Sequence, residues 1–178
     1  TDEDVRLYDV RYCASGKYSQ RVLVPVVYRG DVVSFVARDV SNKSSRKYLN
    51  PSDNKQGNFL FNWDLASSYA AVVVTEGVFD AMAVGRDAVA TFGKSLTRRQ
   101  LELLNTREEL VFYWDVDALF QVERLLEKIR TKVRIVLHPD LLDAGARTKF
   151  ENRSLIREAV SPTSVEYVIW KTMFDRRC

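Results

Sequence analysis

Six carboxylates in the middle of the chain have the types and spacing to hold hard cations. Glu76 and Asp80 bracket the run Glu76-Gly77-Val78-Phe79-Asp80, Asp115 and Asp117 stand two residues apart, and Asp140 and Asp143 stand three apart. Gly77 lets the backbone turn tightly after Glu76, and Asp80 follows one helical turn later, so both can face one crevice. Asp115 and Asp117 point to the same side if extended backbone runs through them. Carboxylates gathered at one place repel one another unless cations sit between them. Oxygen-only donors of this kind suit Mg²⁺ or Mn²⁺, which also take phosphate oxygens and water. Each pair alone is weak, because Asp-x-Asp also occurs in turns and Glu-Gly commonly precedes a helix.

The elements that must position these residues give the pairs their weight. Ala71–Thr75 reads as a buried strand, Phe79–Gly85 as the start of a helix, Ala88–Thr91 as a second strand and Thr97–Leu104 as helix, with Thr97 and Gln100 at capping-box spacing. Glu109–Trp114 reads as a third strand, Ala118–Arg130 as helix and Val133–Leu137 as a fourth strand. Repeated strand-helix units build a parallel sheet covered on both faces, and ligands bind such sheets beyond the carboxyl ends of the strands. Three of those four ends carry the acidic pairs. Upstream, Arg21–Tyr28 and Val32–Arg38 form a hairpin about a Gly30-Asp31 turn, followed by polar loops that hold the short extended segment Tyr48–Asn50. Downstream, Ser154–Ala159 looks helical, Pro162 breaks the pattern, and Val165–Phe174 fits either a helix or a strand.

Composition bounds the chemistry. At 178 residues, with 46% hydrophobic and 29% charged residues, the chain can bury a core. Its net charge of +3 is divided, with an acidic middle over 66–145 between basic ends, a distribution that also describes an ordinary solvated surface. Cys13, Cys178 and His138 are the only residues of their types, so this chain alone cannot assemble a four-ligand zinc module. No apolar stretch approaches the roughly 18 residues of a membrane span and no signal peptide is evident, which points to a cytoplasmic protein of a bacterial or infected host cell.

The ordered set Glu76-Gly-x-x-Asp80, Ala90-Thr-Phe-Gly93-x-Ser-Leu-Thr97, Asp115-x-Asp117 and Asp140-x-x-Asp143 resembles the TOPRIM domain of bacterial-type primases, topoisomerases and some nucleases. The upstream pieces Arg21-Val-Leu-Val-Pro25, the strand ending in Arg38, and Lys47-Tyr-Leu-Asn50 are similar to the segment that precedes TOPRIM in DnaG-like, and specifically phage-like, DNA primases. The resemblance covers about residues 15–145. It implies RNA primer synthesis on single-stranded DNA from ribonucleoside triphosphates, with two divalent ions, Mg²⁺ or Mn²⁺, held by the acidic cluster. On this basis Glu76 is a metal ligand or proton acceptor, Asp115 bridges metals, and Asp80, Asp117, Asp140 and Asp143 complete the set. Arg21, Arg38, Lys47 and Asn50 are carried over as groups that hold nucleotide phosphates and the growing strand. Partners of the family imply a separate zinc-module chain and a replicative helicase, or that this is an excised fragment.

The resulting expectation is an α/β protein. It has a small mixed N-terminal subdomain over 1–66, a TOPRIM-type parallel sheet with helices on both faces over 67–146, and a helical extension over 147–178. Two departures from the family pattern stand out: Ala118-Leu119-Phe120 follows Asp117 where a small Ala-Gly step is usual, and Lys94 follows Gly93 where a small residue is usual. Lys94 can contact phosphate or sit solvated in a loop. His138 reads as a loop residue without a chemical role. Phe59, Phe61 and Trp63 can offer stacking faces or pack the N-terminal layer. Arg98-Arg99 and Arg176-Arg177 are given no role. A metal-dependent TOPRIM nuclease and a non-catalytic nucleic-acid-binding module remain as alternative functions.

Overall fold

A computed structural model describes residues 1–52 and 55–175. Arg176-Arg177 lie outside them. A short helix α1 (Asp2–Leu7) leads into β1 (Arg11–Cys13), β2 (Arg21–Tyr28) and β3 (Asp31–Asp39), which form an antiparallel sheet in the order β1-β2-β3. The loop between β2 and β3 is two residues, Arg29-Gly30, one position earlier than the sequence pattern placed it. Both residues have positive φ (56° and 83°), the twist that lets a two-residue loop join right-twisted strands. The carboxylate of Asp64 accepts hydrogen bonds from both of their backbone N–H groups, at 2.9 and 2.8 Å. Asp64 belongs to α2 (Trp63–Ala66), so the hairpin tip is tied to the next element.

The expected parallel sheet follows: β4 (Ala71–Thr75), α3 (Val78–Val84), β5 (Ala88–Ala90), α4 (Arg98–Leu104), β6 (Glu109–Phe112), α5 (Leu119–Leu126) and β7 (Lys132–Ile135), with strand order β5-β4-β6-β7. Strand alternation divides the core. Val73, Val111 and Tyr113 face one layer with Val78, Ala81 and Ile156, whereas Val72, Val74, Leu110 and Phe112 face the other with Leu103, Leu104 and Val122. Continuous apolar strands are what burial on both faces requires. Because the chain leaves β4 toward β5 and then crosses to β6 on the other side, a crevice opens beyond the ends of β4 and β6, where ligands bind such sheets.

Two helices complete the molecule, α6 (Lys149–Arg157) and α7 (Val165–Asp175). Ile156 and Ala159 join the core layer under α3, and Val160 bridges to Ile135 at the β7 edge. The Thr97–Gln100 capping box forms as expected, with reciprocal bonds of 3.0 and 3.2 Å. Helix α5 is shorter than its sequence pattern. The Asn105 side chain captures the chain after it, accepting from Arg130 N–H at 2.8 Å and donating to the Lys128 carbonyl at 3.1 Å.

Candidate metal and nucleotide site

Buried hydroxyls fix the strand ends that carry the acidic residues. Thr75 Oγ1 donates to the carbonyls of Val89 and Gly77, at 3.0 and 3.1 Å, and Thr91 Oγ1 donates to those of Thr75 and Gly93, at 3.1 and 2.7 Å. Each threonine thus ties its own strand end to the neighbouring strand. Glu76 is the first residue past β4, and its Oε1 accepts from the Asp115 backbone N–H at 3.2 Å, spanning the crevice between β4 and β6. Tyr113 N–H still bonds to Val74 O at 2.9 Å, but the chain then turns through a 3₁₀ segment over Val116–Ala118. Asp115 and Asp117 therefore approach each other on a turn, and the condition of extended backbone through both is not met.

Glu76, Asp115 and Asp117 each present a carboxylate oxygen, and these three atoms all lie within 4.8 Å of one another. Burial, then the neighbouring charge of Asp115, pushes Glu76 up to about 7. Asp115 is raised as well, by burial and then by Asp143 and Asp117. Such mutual repulsion is what a bound cation relieves. The donors are all hard oxygens, which fits a divalent ion that keeps water and phosphate in its remaining positions.

Asp80 stands beside this group in a close-fitting seat. Its Oδ1 accepts from Gly145 N–H at 3.0 Å, and burial followed by the charges of Asp143 and Asp115 raises it to about 6. A Cβ at Gly145 would lie 2.9 Å from Asp80 Oδ1, and one at Gly77 would collide with Oδ2. Both glycines are needed for this close approach. Asp143 accepts from Ala146 N–H at 2.8 Å and starts the short 3₁₀ turn Ala144–Ala146. That turn is braced by Asn152, which donates to Ala144 O at 3.0 Å and accepts from Tyr113 OH at 2.9 Å. Asp140 is engaged otherwise: Leu142 N–H donates to it at 2.9 Å and Arg147 pairs with it, which together hold it below the usual carboxylate range.

Facing Asp80 and Asp143 is a cationic and aromatic wall. Residues 47–49 anneal to β3 through Asp39 N–H to Lys47 O at 2.8 Å and Leu49 N–H to Ala37 O at 2.9 Å, which sets Tyr48 opposite Arg38. The Arg38 guanidinium lies 4.6 Å from the centroid of the Phe79 ring and 5.9 Å from that of Tyr48. Between this wall and the two aspartates lies a cleft of about 540 Å³.

Comparison with known proteins places this arrangement. The family model described as Toprim-like matches residues 73–146. The DNA primase of Synechococcus elongatus is 30% identical over 186 residues, covering 90% of this chain and 27% of that protein. The crystal structure of the Aquifex aeolicus primase, comprising zinc-binding and RNA polymerase domains, superposes with a TM-score of 0.76 at 21% identity, over 89% of this chain and 53% of that one. A structure of the DnaG primase catalytic domain bound to ssDNA superposes at 0.69 and 21% identity, over 90% and 63%. The chain is similar in sequence to DNA primases and shares the fold of the DnaG primase catalytic domain. It spans about a quarter of the S. elongatus relative's length.

Within this primase-like core the upstream candidates divide. Arg38 and Lys47 line the cleft. Arg21 does not: it is 6% exposed, lies 3.6 Å from Asp39, and donates to Ser44 Oγ at 2.9 Å and Arg46 O at 3.2 Å. Asn50 bonds Ala37 N–H at 3.4 Å and Gln56 Oε1 at 3.3 Å, so it secures the 47–49 segment. Both side chains shape the loop that carries Lys47. Lys94 pairs with Asp117, a third outcome beside phosphate contact and solvation. Phe61 and Trp63 are buried and pack the core. His138 is also buried, with Nε2 2.7 Å from Trp114 O and Nδ1 3.2 Å from Leu142 O, so it anchors the loop after β7. Sequence reasoning passed over Tyr48 and Phe79, although both sit inside quoted motifs. It also passed over Arg147 and Asn152, which no local pattern marks.

Proposed function

We propose that this chain is the catalytic part of a DNA primase that makes short RNA primers on single-stranded DNA from ribonucleoside triphosphates. The observation that carries the reading is the carboxylate trio within 4.8 Å at the crevice between β4 and β6, beside Asp80 and Asp143, which face Arg38 and Lys47 across a cleft. The primase relatives and a fold shared with an ssDNA-bound primase domain support it.

In this reading Glu76, Asp115 and Asp117 hold divalent ions, Mg²⁺ or Mn²⁺, and Asp80 and Asp143 complete or orient the set. Bound ions of this kind neutralise charge on the reacting phosphate and lower the pKa of a coordinated hydroxyl. Arg38 and Lys47 grip the triphosphate from the opposite side, as fixed cations do. The 3′-oxygen of one nucleotide bonds to the α-phosphorus of the next, the α–β phosphoanhydride bond breaks, and pyrophosphate leaves. The hydroxyl proton passes to Glu76 or to water, and a carboxylate held near neutral pH suits that role. A phage-like form, a cytoplasmic location, a zinc module on another segment or chain, and a helicase partner belong to the same proposal, as do the three expected domains.

The test combines single-stranded template, four ribonucleotides and Mg²⁺ or Mn²⁺, with Glu76→Gln as control. Short RNA made by the wild type and lost in the variant is the expected result. Degradation of the template without any need for nucleotides would replace this reading with a nuclease, and template binding without either reaction would replace it with a binding module.

A further inference from the structure

Helices α4 and α5 cover the same face of the parallel sheet, the layer that holds Val72, Val74 and Leu110. Between α4 and the chain that follows α5 lies a cleft of about 580 Å³. It shares no lining residue with the cleft at Arg38 and Lys47. Leu96 and Leu101, both half-buried, form its floor, and the exposed side chains of Arg98, Glu102, Lys128 and Arg130 form its rim.

The backbone under these cations is held in place. Ile129 packs against the core layer, so Lys128 and Arg130 on either side of it both turn outward. Asn105, also in the lining, holds that backbone from both directions, donating to Lys128 O at 3.1 Å and accepting from Arg130 N–H at 2.8 Å. On α4, Arg98 and Arg99 share Glu102 at 3.1 and 3.3 Å, and Arg99 also donates to Tyr28 OH at 3.2 Å. Lys128 and Arg130 form no ion pair among the described residues, and Glu108 and Glu127 lie outside the lining.

Charge and position together indicate the occupant. The one carboxylate of the lining is already shared by two arginines, so the cleft is net cationic and has no acidic oxygen left for a metal. What it takes is an anion held without a bridging ion. An apolar floor between cations suits a chain in which uncharged sugars and bases alternate with phosphates. Leu96 stands two residues past Lys94, which pairs with Asp117 at the metal site. From that end α4 runs for about 10 Å, the length of about three stacked nucleotides at roughly 3.4 Å each. We propose that this cleft is a track for the phosphodiester backbone of the single-stranded DNA template, leading away from the metal crevice, in which Lys128 and Arg130 neutralise phosphates. The assignment rests on the primase reading and adds to it a contact surface that the metal site does not supply.

The test is binding of an oligothymidylate of about fifteen nucleotides, in EDTA and over a salt series, read by fluorescence anisotropy. It compares wild type, the double variant Lys128→Gln/Arg130→Gln and the control Arg157→Gln, an exposed cation on α6 at the opposite face of the sheet. Melting curves with and without Mg²⁺ check that all three fold alike and keep the same Mg²⁺-induced stabilisation. Loss of two phosphate contacts is expected to reduce the slope of log K against log salt by about 1.4 and to weaken binding about tenfold at about 0.15 M salt. The control should change affinity by less than about twofold. Unchanged affinity and slope in the double variant overturn the track, and an equal loss per charge in Arg157→Gln replaces it with a diffuse surface field. A loss seen with oligouridylate and not with oligothymidylate overturns the assignment to the template and gives the cleft to the primer strand. A wild type that binds DNA as expected yet makes no RNA from ribonucleotides overturns the primase reading and leaves a DNA track in place.

Discussion

Replacing Asp115 by Asn should make the metal-free protein more stable and leave it nearly indifferent to Mg²⁺. The three ligand oxygens lie within 4.8 Å of one another. Two unit charges at that separation repel by about 3.5 kcal/mol at an effective dielectric of about 20, and by about 0.9 kcal/mol in bulk water. Asp117 is largely exposed and is partly neutralised by Lys94, so the lower part of that range applies. Relief of about 1–2 kcal/mol is expected, which for a domain of this size raises Tm by about 2–8 °C. In the wild type, Mg²⁺ at about a hundred times its Kd adds about 2.7 kcal/mol. Losing a ligand removes most of that gain. Scanning calorimetry of both proteins, with EDTA and with a Mg²⁺ series at low salt, reads both effects. If Asp115→Asn melts at or below the wild type in EDTA and still gains as much from Mg²⁺, the carboxylates neither repel nor share an ion.

Glu76 gives a pH dependence whose sign follows from its elevation to about 7 from an ordinary 4.5. The stability it contributes is complete below about 4.5 and is lost as pH rises through about 7, while Mg²⁺ affinity climbs up to about 7 and then flattens. Calorimetric Mg²⁺ titrations from pH 5.5 to 8.5 should show that slope in the wild type, and in Glu76→Gln only a remnant near pH 6, where Asp80 titrates. Gly145→Ala drives a methyl to 2.9 Å from Asp80 Oδ1. It should weaken Mg²⁺ binding severalfold and cost about 1 kcal/mol of stability, while Gly30→Ala, at the distant hairpin tip, strains the fold without altering Mg²⁺ affinity. Arg38→Ala should raise KM for the incoming nucleotide about tenfold or more with little change in Mg²⁺-induced stabilisation. An equal loss in both would merge the cationic wall with the metal site.

The parallel sheet was legible because Val72–Val74 and Leu110–Phe112 are short apolar runs that each lead into an acidic residue and alternate with helical spacing, as strands buried on both faces require. The carboxylates that meet were legible from their place at strand ends. What the sequence hid was competition for side chains. Arg21 and Arg38 look alike along one hairpin, and a fold-specific neighbour, Asp39 with the Ser44–Arg46 loop, draws the first inward. Asp140 and Asp143 look like a pair, but Arg147, seven residues on, takes one and leaves the other to the cluster. His138 is solitary in sequence, and its value lies in two backbone carbonyls that only the folded chain brings to it. Asp115 and Asp117 reach each other through a turn that no local pattern marks, because pairing with β4 runs out at Tyr113.

The attachment of the 47–49 segment has a consequence for how the molecule can change. Lys47 and Tyr48 are carried by a strap held to β3 by two backbone bonds, one to Lys47 O and one from Leu49 N–H, with the Asn50 carboxamide as a further fastening. Neither core layer includes a residue of that strap. A change in the length or charge of this strap therefore leaves the carboxylate seats as they are, so that in the proposed function grip on the triphosphate and capacity for chemistry can vary separately.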